Sequence, residues 1–183
     1  IKYNYMKDNI SGQTKESILT KEESKTQLDL EIKKRKEFRN KITELESSVV
    51  EHGMDNTKLH EVNQVKHTFA GGCYIRELAC PAGQLIITKI HKKEHPFFLM
   101  KGYISILTHN GIEHVKAPYQ GVTKPGTKRA VYVHEDCIFT TVHATYNDTV
   151  EEVEEEVVCA SYNDLPVECD PIKILESINL KIE

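Results

Sequence analysis

No stretch of this 183-residue chain comes near the ~20 consecutive apolar residues of a membrane-spanning helix, and no charged, apolar and small-residue leader opens it. A soluble protein without a membrane partner is expected. Charge of one sign is also scarce: 24 Lys and Arg stand against 28 Asp and Glu, a formal net charge of −4, which gives no broad attraction for nucleic acid. The five cysteines (Cys73, Cys80, Cys137, Cys159 and Cys169) are odd in number and lack CxxC spacing, in a chain long enough not to need staples. A reducing compartment follows as the expectation. The first residue is Ile1, not methionine, which fits a processed product or part of a longer chain. Hydrophobic residues make up a modest 39%, and the polar excess lies in residues 1–66 and from Asn147 onward, so the core must come from the middle. The length fits one domain with attachments, since about 100–150 residues is usual for a single core.

What is present divides the chain into three parts: a helical arm over 1–66, a β region over 67–146 and an acidic helical tail over 147–183. In the arm, Thr20-Lys21-Glu22-Glu23 has the form of a capping box, and a helix is expected over about 20–52, with Gly53 as its stop. Phe38, Ile42, Leu45 and Val49 recur at spacings of four, three and four, and the same register picks up Leu28 while placing Glu31 and Arg35 on the seam. Two partners fit this stripe: the β region of its own chain, or copies of itself in a larger assembly. The second is the expectation, because an isolated charged helix of this length is marginal in water.

From His67 to Thr145, runs rich in Val, Ile, Tyr, Phe and Thr alternate with turn signals at Gly71-Gly72, Pro81-Ala82-Gly83, Lys101-Gly102, Asn110-Gly111, Pro125-Gly126 and Glu135-Asp136. Strands are predicted over 73–79, 85–91, 96–101, 103–108, 112–117, 119–124, 129–134 and 137–144. So many short strands with no helical pattern between them indicate a mainly β domain, an antiparallel jelly-roll barrel or sandwich. Asn110-Gly111 predicts a hairpin with a type I′ turn. In the tail, Asp148-Thr149-Val150-Glu151 caps a short helix with Val150, Val153 and Val157 on one face and the glutamates on a solvated one, before Pro166, Pro171 and a last helical stretch over 172–180.

Three groups in the β region carry chemistry. His91 and His95 precede an apolar run, and strand alternation puts Leu85, Ile87, Lys89 and His91 on one face, as it does Cys137, Phe139, Thr141 and His143. The segments GQLIITKIHKKEHPFFLMKG and KAPYQGVTKPGTKRAVYVHEDCIFTTVHAT, within about residues 66–165, resemble the cupin superfamily, closest to the small cupin-like proteins of tailed bacteriophages. The resemblance implies a jelly-roll barrel with short C-terminal helices. Set against the motif of catalytic cupins, with Gly102 as its last glycine, His95 falls at the glutamate position, His91 at the second histidine and Lys89 at the first, while Arg129 falls where the second motif supplies a ligand.

Two readings of the histidines stay open. His91, His95 and His143 are three imidazoles, enough to hold iron, zinc or manganese with water completing the shell. Alternatively they line a vestigial pocket, hydrogen-bonded to Thr141, Lys89 or backbone, and no cofactor is favoured. For Arg129 the expectation is an ion pair with Glu135, Asp136 or Glu77; the alternative is an anion pocket shared with Lys89. The remaining histidines are expected at the surface or outside the barrel motifs, and the cysteines as small core residues.

The resemblance and the arm together imply a structural protein of a tailed-phage particle, homo-oligomeric, docked on other virion proteins and assembled in the host cytoplasm. Against it stand a metal-dependent cupin enzyme, of dioxygenase or isomerase type, and a barrel that binds a carbohydrate or other small ligand with Tyr103, Tyr119 and Tyr132 as stacking surfaces. No paired carboxylate accompanies the histidines in either motif.

Overall fold

A computed structural model describes residues 20–52 and 63–181; Gly53 and His60 lie outside them. The expected capping box opens helix α1 (Lys21–Glu51): the Glu23 amide donates to the Thr20 hydroxyl at 3.2 Å, and the Glu23 carboxylate accepts from the Thr20 amide at 2.8 Å.

The strands are β1 (Gln64–Ala70), β2 (Cys73–Cys80), β3 (Leu85–Ile87), β4 (Ile90–His91), β5 (His95–Thr108), β6 (Gly111–Lys116), β7 (Tyr119–Thr123) and β8 (Ala130–Ala144), followed by α2 (Val150–Val157), β9 (Val158–Cys159) and α3 (Pro171–Asn179). Seven strands make one antiparallel sheet in the order β1-β2-β8-β5-β6, with β3 also on β8 and β7 also on β5. The two long strands each serve two sets of neighbours. β5 pairs with β7 through His95–Leu99 and with β6 through Tyr103–Thr108; β8 pairs with β3 through Ala130–Tyr132 and with β2 through Cys137–Ala144.

Between these halves the β5–β8 register shifts around Leu99–Ile104. Gly102 has φ +92° there, and a Cβ on it would lie 2.6 Å from the Asp136 carbonyl oxygen, so the bulge requires glycine. The sheet folds along this line. Leu78, Cys80, Leu99 and Cys137 of one half then meet Ile86, Ile104, Ile106, Val115 and Val133 of the other in one core, the packing of a β-sandwich. Each such aliphatic side chain contributes about 1.5–3 kcal/mol on burial.

Several boundaries differ from those expected. Lys101-Gly102 and Glu135-Asp136 are not turns: 96–101 with 103–108, and 129–134 with 137–144, are single strands, because a bulge bends a strand without ending its pairing. The predicted strand 85–91 breaks at Thr88-Lys89 into β3 and β4, and β1 pairs with β2 from Cys73 to Ala79. The β5–β6 hairpin forms around His109 and Asn110, but no described residue other than glycine has positive φ, so its turn is not type I′. The Thr108 hydroxyl closes it instead, accepting from the Asn110 amide at 3.2 Å and donating to the Gly111 carbonyl at 3.1 Å. Among the described strands the order has two ends, β1 and β6, so the architecture is a folded antiparallel sandwich and the pairing does not close it into a barrel.

The α1 stripe is covered by its own sheet. Ile42 and Val49 are buried with Ile87 and Ala130, and Phe38, Leu45, Leu85 and Leu107 complete the cluster, so the four residues expected to form a seam between copies are used within the chain. Leu28, two heptads before Ile42, is half-buried, and Glu31 and Arg35, on the same seam, pair at 2.7 Å. Two ion pairs flank the cluster: Lys128 with Glu46 at 2.5 Å, and Arg39 with Asp170 through two hydrogen bonds of 2.7 and 3.2 Å. Asp170 also caps α3, accepting from the Ile172 amide at 2.9 Å, so Pro171 begins that helix. Val153 and Val157 of α2 pack on Tyr74. Glu154 and Glu156 are not simply solvated, since they pair with Lys89 and Lys93.

Candidate functional site

The three histidines come from three strands and converge. His95 opens β5 opposite Thr123 of β7, and the β5–β8 register that sets Phe97 against Thr141, carried two residues further, sets His95 against His143. Their ring centroids are 4.1 Å apart at 36°. His91 lies in the two-residue ladder of β4 with β9, where it opposes Val158. Its amide donates to the Thr127 carbonyl at 3.0 Å and its carbonyl accepts from Gly126 at 2.8 Å. Hydrogen bonds from Lys92 to the Val157 and Glu155 carbonyls, with the Lys93–Glu156 pair, tie the 89–94 loop to α2. So held, the His91 ring is 4.4 Å from His95 and 6.2 Å from His143.

All three imidazoles are pushed toward the neutral form. Burial, then the nearness of His95, His143, Arg129 and Arg76, pushes His91 down to about 2; burial, then His95 and Arg76, pushes His143 down to about 4. Burial lowers His95 as well, against the stabilising Lys93 carbonyl. The His95 Nδ1–H donates to that carbonyl at 3.3 Å, which leaves the lone pair on Nε2. Nδ1 of His91 and Nδ1 of His143 are buried and have no partner among the described residues.

Neutral imidazoles with free lone pairs are donors suited to iron, zinc or manganese, so the donor chemistry fits an ion. The ring conformations do not converge on one: the planes tilt over each other, and among the described residues no three His, Cys, Asp or Glu side chains are set to hold a metal.

The two cations expected beside the histidines separate. Lys89 falls in the break between β3 and β4, where alternation no longer applies; it points outward and pairs with Glu154 at 2.8 Å. Arg129 stays close to His91 and His95, but its expected ion pair is absent. Its Nη1 donates to the Thr123 hydroxyl at 3.0 Å, and its guanidinium carbon is 5.1 Å from the Phe97 ring centroid, while Asp136 accepts instead from the Ala82 amide at 2.9 Å. Arg76 was missed from sequence. It shares the parity of Tyr74, Leu78 and Cys80 on β2, and an arginine on the apolar face of a strand was the available signal.

Other candidates lie elsewhere. Tyr103 stacks on His134 at 4.5 Å, and Tyr132 meets the same ring at 4.9 Å, away from the histidine group; of the three tyrosines only Tyr119 approaches the interior, 6.0 Å from Phe97. His114 and His134 are exposed and joined through the Ser105 hydroxyl at 2.8 and 2.5 Å. His109 is half-buried, with Nε2 3.3 Å from Glu31. Cys80 and Cys137 are buried cross-strand partners, and all five cysteines are free. A cavity of about 400 Å³ lies between α1 and the 122–129 segment, with Arg35, Arg39, Lys124, Lys128 and Arg129 in its wall.

No protein-family model and no curated protein matches the sequence. Parts of solved structures resemble it. An acetylacetone dioxygenase from Acinetobacter johnsonii has 18% identity and a TM-score of 0.39; the match covers 44% of this chain and only 58% of that one. A cupin-2 domain protein from Shewanella frigidimarina has 14% identity over 49% of this chain and 90% of that one, with a TM-score of 0.39. A protein with a double-stranded β-helix domain from Klebsiella pneumoniae has 19% identity over 50% and 84%, with a TM-score of 0.41. Likeness this low transfers no chemistry, and the architecture stands on the strand order and register of the chain itself.

Proposed function

We propose that the chain is a cupin-type protein in which the rings of His91, His95 and His143, turned from the stacked arrangement described above, hold a divalent ion, iron, zinc or manganese, and that it acts on or binds a small molecule beside it. The observation that carries this reading is the pair of buried Nδ1 atoms, on His91 and His143, with no partner among the described residues beside a third imidazole ring. A buried polar atom left unpaired costs about 1–3 kcal/mol, which a bound ion offsets. An ion there supplies Lewis acidity and coordination positions not taken by protein. The chain's own residues do the rest: the Lys93 carbonyl fixes the His95 tautomer, the β4–β9 ladder and Gly126 hold His91, and Phe97 and Leu99 line the core next to them.

Elemental analysis after reconstitution with each ion tests it. One equivalent of metal in the wild type, lost in a His91→Ala, His143→Ala double variant, is expected; a wild type that retains none of the three ions overturns the reading. A virion-associated docking protein is the second reading, supported by the exposed Met100, Ile112 and Val122 side chains on β5, β6 and β7. Its test is mass in solution, where an oligomer that dissociates in Ile112→Glu is expected and a wild-type monomer removes it.

A further inference from the structure

The outer face of the sheet half made by β5, β6 and β8 is only partly used by α1. Leu107 of β5 and Ala130 of β8 pack with the helix residues Ile42 and Val49. Two residues along each strand the same face carries Ser105 and Tyr132, and Ser105 stands in register with Tyr132 on one side and with His114 of β6 on the other. His134 follows Tyr132 on that face. Both histidines are exposed, and Tyr132 is 43% exposed, so this part of the face is open to solvent.

The register brings an imidazole over Ser105 from each neighbouring strand. The Ser105 Oγ is 2.8 Å from Nδ1 of His114 and 2.5 Å from Nε2 of His134, and the two ring centroids are 6.3 Å apart at 48°. A hydroxyl has one hydrogen, so it donates to one ring and accepts an N–H from the other. Two ring nitrogens from different strands are therefore aimed at one point before any ligand arrives. His134 is also held from its sides: Tyr103 stacks on it at 4.5 Å and 22°, and Tyr132 meets it edge-on at 4.9 Å and 75°. Little further ordering of that ring is needed on binding.

We propose that His114 Nδ1 and His134 Nε2 chelate one late first-row divalent cation, zinc or nickel, on the surface of the sheet. Imidazole suits these ions, and small rotations of two exposed rings bring both nitrogens to the ~2.0–2.1 Å that such an ion takes. The ring hydrogens then sit on His114 Nε2 and His134 Nδ1. Among the described residues no third His, Cys, Asp or Glu joins the pair, so the Ser105 hydroxyl and water complete the shell and the ion exchanges with solvent. An ion is favoured over a nucleophilic role for Ser105 because neither ring has a carboxylate on its far nitrogen among the described residues, the partner that orients a catalytic base. The site shares no residue with the group formed by His91, His95 and His143, and it does not depend on an ion there.

Calorimetric titration of the full chain, stripped of metal, with zinc chloride and with nickel chloride tests this. The wild type is expected to take up an equivalent of either ion that is lost, or weakened about tenfold or more, in His114→Ala and equally in His134→Ala, because a chelate needs both rings. The His114→Ala, His134→Ala double variant is expected to be no worse than either single variant. Both positions are exposed, so the melting temperatures of the ion-free variants are expected to match the wild type. An unchanged number and affinity of bound ions in either single variant, or losses that simply add in the double variant, overturns the proposal. The same titration of His91→Ala, His143→Ala separates the two metal readings: an equivalent that survives there and disappears in His114→Ala belongs to the outer face, whereas one that disappears there and survives in His114→Ala belongs to the interior and removes this inference.

Discussion

The interface under α1 and the interior around the histidines are both polar sites within one small fold, and they treat charge in opposite ways. Under α1, Arg39 meets Asp170 through two hydrogen bonds and lies 4.0 Å over the Tyr162 ring, and Lys128 meets Glu46. Around the histidines, Arg129 has a hydroxyl and a ring and feels Glu113 without an ion pair, and two imidazole nitrogens have no partner among the described residues. A paired buried charge is complete and serves the fold, whereas an unpaired one is costly unless something outside the chain completes it. The difference separates the cations that fix α1 from the polar groups that the described residues leave without an ion pair.

The largest expected effect breaks the complete side. Arg39→Ala leaves the 2% exposed Asp170 side chain without its partner. Stability is expected to fall by about 3–5 kcal/mol in denaturant unfolding. Burial of Asp170 opposes its charge, but the hydrogen bonds and charge of Arg39 outweigh it and hold the carboxyl below its ordinary 3.8. The folded-state pKa is therefore depressed, so this stabilisation is fully present above the ordinary carboxylate pKa and is lost as pH falls through the lower folded value. Asp170→Asn is expected to lack that acid-side loss, and a wild-type acid slope unchanged in the variant would count against the pairing.

Next in size is Ile42→Ala, which empties a site only 1% exposed between α1 and the sheet. About 2–5 kcal/mol is the expected loss, read from the same unfolding curves. If Ile42 faced another copy of the chain instead, the loss would depend on protein concentration; none is expected. Arg129→Met sharpens the contrast because it has the opposite direction: removal of a half-buried cation that has no carboxylate is expected to leave the melting temperature unchanged or raise it. The smallest effect belongs to Lys89→Ala, whose pair with Glu154 is 59% and 46% exposed, so less than about 1 kcal/mol is expected.

Much of the site was legible because strand alternation is local. The parity of Cys137, Phe139, Thr141 and His143 is kept in β8, and the apolar run after His95 is the inner face of β5, where His95, Phe97 and Leu99 are buried. Lys89 was misplaced because the break at Thr88-Lys89 comes from backbone bonds between Thr88 and Arg129 and between His91 and Thr127, partners some forty residues away that no short window contains. The stripe of Phe38, Ile42, Leu45 and Val49 was read correctly as a stripe, but amphipathic spacing says that a face must be covered and not by what. Arg76 was passed over although alternation puts it on the face of Tyr74, Leu78 and Cys80, because arginine is ordinarily a solvent-facing residue.

By itself the sequence determined the helix start at Thr20, the antiparallel β content of the middle and the phase of its apolar faces, since capping, turn and alternation energies arise among residues a few positions apart. Only the tertiary structure decided that α1 lies on its own sheet, that Lys89 leaves the histidines and that Arg129 stays. Those outcomes depend on pairs such as Arg39 with Asp170, 131 residues apart, whose free energy exists only once distant segments have docked and shed their water.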